Sequence, residues 1–189
     1  MIKKDLRLKY LELRKTISPK ELEIISENIC NLIFSNFQVE KKRISIFLPI
    51  KRSKEINTYK ILDKAISLNA EVSIPKINNK NNELKHVIFE SKNQLEINKF
   101  GIPEPIKGKI TAAEHFDYVF IPLLTIDFNG NRIGYGKGYY DRFLKRCKPR
   151  CKFIGLYHFD ELTEKISDIN TLDVKLHACI TPNKIIHFK

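Results

Sequence analysis

A three-layer α/β/α sandwich with a largely parallel central sheet is the fold the sequence predicts, and three features predict it. Short apolar runs of strand length alternate with segments whose apolar residues recur every three or four positions. The most apolar run, FDYVFIPLL at 116–124, suits a strand buried on both faces. Strands that alternate with helices are joined by crossovers, which make neighbouring strands parallel and cover the sheet with helices.

The elements follow in order. Leu6, Tyr10, Leu13 and Ile17 recur at helical spacing, so a helix is expected from residue 2 to about 17 with these side chains inward. SPKE at 18–21 then supplies the N-cap serine, N1 proline and N3 glutamate of a capping box. The second helix places Leu22, Ile25, Ile29, Leu32 and Ile33 on one face and ends near Asn36. RISIFLP, 43–49, is a strand stopped by proline, and after the polar turn KRSKE a helix from about Thr58 turns Ile61, Leu62, Ala65 and Ile66 inward. EVSIPKI and the run ending in HVIFE read as an antiparallel pair around an asparagine-rich turn. The Pro/Gly loop FGIPEPIKG precedes the central strand. NGNRIGYGKGYYDRFL, 129–144, leads from that strand into a helix over 138–147 with Tyr140, Phe143 and Leu144 inside. KFIGLYH, KLHACI and KIIHF are further strands, and no repeat or linker divides residues 1–189, so a single domain is expected.

Composition narrows the class of function. With 42% apolar and 30% charged residues over 189 positions the chain is globular, and folding should remove roughly 70% of its surface from water. No apolar run approaches the roughly 20 residues of a membrane span, and MIKKDLRLKY is followed by no apolar signal segment, so the cytoplasm is the expected location. Cys30, Cys147, Cys151 and Cys179 are too sparse for a disulfide scaffold, and CKPRC lacks the second ligand pair of a zinc site. The net charge of +12 favours an anionic partner. The lysines are scattered without an RNA- or DNA-binding pattern, so a small polyanion such as a nucleoside triphosphate suits the charge, and nucleic acid is not expected.

In an open parallel sheet, ligands sit beyond the carboxyl ends of the strands. That directs attention to residues 49–55, 127–141, 157–160 and the segment around Asp173. Gly134, Gly136 and Gly138 form GxGxG, but Tyr139 breaks the dinucleotide fingerprint and no GxxxxGK[ST] frame fits. Alternate glycines opening a helix still expose backbone N–H groups to an anion, and Arg132 and Lys137 add charge. Asp141 either complements the helix dipole or, with Asp173, holds Mg²⁺ beside a phosphate. Lys3, Arg7 and Arg14 share one helix face, a spacing that ordinarily means a solvated cationic stripe. A lone glutamate such as Glu55, closing a polar loop, is ordinarily exposed. No Ser/His/Asp triad is visible.

KKDLR, FLPIKRSKEINT, GIPEP, FDYVFIPLLTIDFNGNRIGYGKGYYDRFL, FIGLYHFDEL and LDVKLHACIT together make the chain resemble the 5-formyltetrahydrofolate cyclo-ligase (methenyltetrahydrofolate synthetase) family over essentially its whole length. Leu172 stands at a position that is commonly histidine in the family. The resemblance implies the same three-layer fold and ATP-dependent conversion of 5-formyltetrahydrofolate to 5,10-methenyltetrahydrofolate with release of ADP and phosphate. It implies that Lys3, Lys4, Asp5, Leu6 and Arg7, with Arg132, Ile133, Gly134, Tyr135, Gly136, Lys137, Gly138, Tyr139 and Tyr140, bind ATP. Ile50 and Glu55, with Tyr135, Gly136, Lys137, Gly138 and Tyr139, would contact the folate, and Asp141 and Asp173 would hold Mg²⁺. Lys137, Arg132 and Tyr139 are the expected catalytic residues, in a monomer whose partners are these two small molecules and no membrane.

Overall fold

The computed structural model describes residues 1–78, 83–98 and 101–188, so the asparagine-rich turn at 79–82 lies outside the described residues. Four α-helices are described: α1 (Lys3–Thr16), α2 (Pro19–Asn36), α3 (Tyr59–Ser67) and α4 (Tyr139–Leu144). The strands are β1 (Arg43–Ser45), β2 (Glu71–Asn78), β3 (Glu83–Ile88), β4 (Leu95–Ile97), β5 (Pro103–Pro105) and β6 (Ile110–Thr111). They continue with β7 (Tyr118–Pro122), β8 (Thr125–Ile126), β9 (Arg132–Ile133), β10 (Lys152–Leu156), β11 (Ala178–Ile180) and β12 (Ile185–His187).

An eight-stranded sheet runs in the order β12-β11-β10-β7-β1-β2-β3-β6. Its inner strands β11, β10, β7, β1 and β2 pair in parallel, and β12, β3 and β6 add antiparallel edges. Alternate side chains divide two cores. Ile44, Ile46, Phe120 and Ile154 join α2 and α3 on one face, whereas Val119, Ile121 and Phe153 join Leu6 and Tyr10 of α1 and Phe143 and Leu144 of α4 on the other. This is the expected three-layer α/β/α arrangement. The central β7 carries Val119, Phe120 and Ile121, all fully buried, in agreement with its apolar sequence.

The capping box of α2 forms as expected: the Glu21 amide donates to Ser18 Oγ at 3.2 Å and the Ser18 amide to Glu21 Oε2 at 2.7 Å. Three helical expectations change. Leu13 of α1 is 38% exposed, and Arg14 occupies the inward position with 3% exposure. The helix expected over 138–147 stops at Leu144, because the amides of Arg146 and Cys147 turn back to the Phe143 and Leu144 carbonyls, three residues behind. Ile66, expected inside α3, is also largely exposed.

His86 of β3 stacks on Phe143 of α4 with ring centroids 3.9 Å apart. Both its ring nitrogens are buried without a hydrogen-bond partner, and burial, aided by the Arg146 charge, pushes its pKa down to about 3. An unfolded histidine titrates near ~6.5. The unfolded chain therefore takes up a proton that the native state refuses, and stability falls as pH drops from about 6.5 toward 3. His86→Phe keeps the stacking and removes the titration. It should raise stability by about 1 kcal/mol and reduce the slope of stability against pH between 4 and 6 by about 1.4 kcal/mol per unit, as read by urea unfolding; an unchanged slope would show that His86 protonates freely in the native state.

Candidate functional site

Three adjacent parallel strands, β1, β7 and β10, point their carboxyl ends at one place. The loop after β1 delivers Glu55, the chain after β7 delivers the glycine loop, and the chain after β10 delivers His158. Helix α1 packs across β8, β9 and the turn at Lys51–Ser53, so its charged face closes over these ends.

Asp127 sets the glycine loop in place. Fully buried, its carboxylate accepts the amides of Asn129 (2.9 Å) and Asn131 (3.0 Å), the Asn131 side chain, and the Ile166 amide at 3.3 Å. This fixes the turn between β8 and β9, the hairpin that leads into Gly134. Arg7 Nε donates to the Gly134 carbonyl at 2.9 Å. Its guanidinium also lies against Gly136, where an added Cβ would sit 3.1 Å from Arg7 Cζ and where φ is +86°. Only glycine serves both needs. At Gly134 an added Cβ would meet nothing within 4 Å, which leaves that side of the loop open to a ligand. Because α4 has only six residues, its dipole is small, and an anion at this loop would be held mainly by Arg7 and the exposed Lys137.

Arg132 points inward. It donates to the Val174 carbonyl and, at 2.8 Å, to Asp141 Oδ1, which also accepts the Val174 amide at 3.0 Å. Burial pulls its pKa down, and Asp141 opposes that pull. This triangle brings Asp141 beside the segment of Asp173, whose carboxylate is paired with Lys3. Each carboxylate keeps about a quarter of its surface exposed, 24% and 25%. Their chemistry suits a hard divalent cation with water completing the shell. Among the described residues no cluster of three or more acidic, His or Cys side chains is assembled.

Glu55 is buried, 5% exposed, in contrast to the exposed side chain expected of a lone loop glutamate. Oε2 accepts the Ile50 amide at 2.8 Å and Oε1 the Tyr135 hydroxyl at 2.7 Å. Burial raises the carboxyl pKa, while these donors and the Arg14 charge counter it. The loop is held by Lys54, which has φ +46°, donates from Nζ to the carbonyls of Lys15 and Ile17, and shares its own carbonyl with His158 Nε2 at 2.8 Å.

The structure thus gathers Lys3, Arg7, Ile50, Glu55, Arg132, Gly134 to Gly138, Asp141 and Asp173 around the strand ends. Tyr139 and Tyr140 are partly buried against the core of α4, and the Arg142 guanidinium lies over the Tyr139 ring, 5.4 Å from its centre. Lys4 and Asp5 are exposed, whereas Leu6 and Ile133 are core residues. Arg14 and His158 were not singled out as site residues from the sequence. Arg14 had a signal, its helical register with Lys3 and Arg7; His158 lies in the strand-end segment 157–160, but nothing in its sequence sets it apart there.

A mouse protein called 5-formyltetrahydrofolate cyclo-ligase is 29% identical over 153 residues, covering 77% of this chain and 74% of its own. One of the same name from Mycolicibacterium smegmatis is 25% identical over 187 residues, covering 96% of this chain and 94% of its own. The solution structure of Aquifex aeolicus 5,10-methenyltetrahydrofolate synthetase superimposes with a TM-score of 0.85 at 26% identity, over 100% of this chain and 94% of that one. The sequence model of one family matches residues 1–182, which span α1, the Glu55 loop, the glycine loop and Asp173. By that match the chain belongs to the 5-formyltetrahydrofolate cyclo-ligase family.

Proposed function

We propose that the protein converts 5-formyltetrahydrofolate to 5,10-methenyltetrahydrofolate at the expense of ATP, with its site at the glycine loop and Glu55. The observation that carries the site assignment is Tyr135: it belongs to the loop suited to phosphates, yet its hydroxyl reaches the buried carboxylate suited to a pterin, 2.7 Å away. Two ligands that must react with one another need such a junction.

A formamide oxygen is a poor leaving group. Transfer of the γ-phosphoryl group of ATP to that oxygen releases ADP and gives an imidate-like phosphate. The neighbouring folate amine attacks its carbon and gives up its proton to solvent, the carbon–oxygen bond breaks, inorganic phosphate leaves, and the five-membered methenyl ring is left closed. Such a reaction asks for positioning and charge neutralisation, not for a protein nucleophile. Lys137 and Arg7 would face the phosphates, with Lys3 released to them from Asp173. Ile50 supplies an apolar contact and Glu55 accepts N–H groups of the pterin. Asp141 and Asp173 would hold Mg²⁺, which supplies charge neutralisation on phosphate oxygens. No helix among the described residues is long and apolar enough to cross a membrane; a cytoplasmic monomer is part of the proposal, and light scattering tests the monomer.

The decisive experiment mixes the protein with 5-formyltetrahydrofolate, ATP and Mg²⁺ and follows the ultraviolet absorbance of the methenyl product against ADP released. Equal amounts of both are expected, and ATP-independent product or none would overturn the reading. Glu55→Gln should weaken folate binding by about tenfold, the worth of one charge-assisted hydrogen bond, and leave ATP binding nearly unchanged in calorimetric titrations. Equal weakening of both would make Glu55 a structural residue.

A further inference from the structure

Arg14 is a cation in the interior, and its surroundings do not account for it by stability. Nη2 donates to the Leu123 carbonyl at 2.6 Å, Nη1 donates to the Tyr135 hydroxyl at 3.2 Å, and Nε is buried without a partner. A buried guanidinium with one N–H unsatisfied and no carboxylate in direct contact costs more than an apolar side chain of the same volume. Its countercharge is one hydroxyl away: Arg14 to Tyr135 to Glu55 to the Ile50 amide is a continuous chain of hydrogen bonds. A second buried nitrogen without a partner, His158 Nδ1, lies within the field of Arg14, whose charge, after burial, pushes the His158 pKa down to about 3.

The Tyr135 side chain is the point where this chain meets solvent. Its hydroxyl is drawn inward between Arg14 and Glu55 while the residue stays 40% exposed. A tyrosine tethered at its hydroxyl presents its ring as a plane of fixed orientation. Without Arg14 the hydroxyl would depend on Glu55 alone, and a pterin arriving at Glu55 competes for that same carboxylate. With Arg14 present, the hydroxyl keeps a partner when Glu55 turns to the ligand.

We propose that Arg14 is a positioning residue for the folate: acting through Tyr135, it holds the ring and the Glu55 carboxylate in the arrangement that receives the pterin. This rests on the functional reading above. The interaction is local to the folate side, because the phosphate side of the loop is held separately by Arg7 on the Gly134 carbonyl.

The test is a double-mutant cycle between Arg14→Met and Tyr135→Phe, read as KM for 5-formyltetrahydrofolate and for ATP and, without turnover, as the folate dissociation constant by calorimetry. In the parent protein Arg14→Met should weaken folate by about tenfold, the size of one charge-assisted hydrogen bond, and leave the KM for ATP within about twofold. In the Tyr135→Phe background the same substitution should change folate binding by less than about twofold, because the group it acts through is gone. The same factor in both backgrounds, no factor in either, or a parallel rise in the KM for ATP would overturn the role. If Arg14→Met yields no folded protein, Arg14→Lys, which keeps a cation and a donor for the Leu123 carbonyl, runs through the same cycle with the same readings. Parent protein that binds folate but forms no methenyl product would sink the proposed reaction while leaving the cycle readable; an additive cycle in an active protein would sink only the role of Arg14.

Discussion

Replacing Lys137 with alanine is expected to lower kcat for methenyl formation by about 10² to 10³, the loss typical of one preorganised donor to developing charge, with the fold intact. Lys137 lies between Gly136 and Gly138, whose φ angles of +86° and +67° turn the chain sharply on either side of it. Its carbonyl is fixed by the Arg142 guanidinium at 3.2 Å, and its side chain is exposed. The backbone is therefore held while the ammonium is left for a ligand, an arrangement that contributes nothing to packing. Because the charge it meets grows as the phosphoryl group transfers, the effect should fall on kcat more than on the KM for ATP. Thermal unfolding should be unchanged. Turnover near that of the parent protein would remove Lys137 from the catalytic set.

Arg132 should behave in the opposite way. Its side chain is 7% exposed and joins Asp141 to the Val174 carbonyl, so Arg132→Met leaves a carboxylate with its positive partner removed. Breaking a buried pair costs roughly 3–5 kcal/mol. Since Asp141 is 24% exposed, the lower end, about 3 kcal/mol, is expected in urea unfolding. The double variant Arg132→Met with Asp141→Leu should recover much of that loss. Activity should fall as well, because the triangle of Arg132, Asp141 and Val174 aligns the start of the glycine loop with the segment of Asp173. A stable Arg132→Met protein with impaired turnover would instead assign Arg132 directly to the phosphates, as the sequence led us to expect.

The contrast between these two residues is where sequence and structure part. Both are basic residues within six positions of the same glycines, and spacing alone gives them the same role. One faces solvent, whereas the other is drawn in against the chain, because the Val174 carbonyl and the Asp141 carboxylate lie within reach of its guanidinium. The same holds on α1. Helical periodicity put Lys3, Arg7 and Arg14 on one face, and the structure keeps that register; which of them is buried depends on Leu123 and Tyr135, more than a hundred residues away in sequence. Leu13, the better hydrophobe, lost the inward place to a cation for that reason.

Periodicity, apolar runs and the capping box are local properties, so the helices, apart from the end of α4 and the faces of Leu13 and Ile66, the buried central strand and the layered α/β class could be read before any distant contact was known. The glycine spacing likewise argued against two familiar nucleotide loops and left an anion site as the expectation, and the long signature pointed to the family. That Glu55 is buried, that Tyr135 joins it to the glycine loop and that Arg14 stands behind them emerges only in the folded chain. Burial and hydrogen-bond partners depend on which distant segments meet. Here the meeting place is set by the parallel packing of β1, β7 and β10 beneath α1.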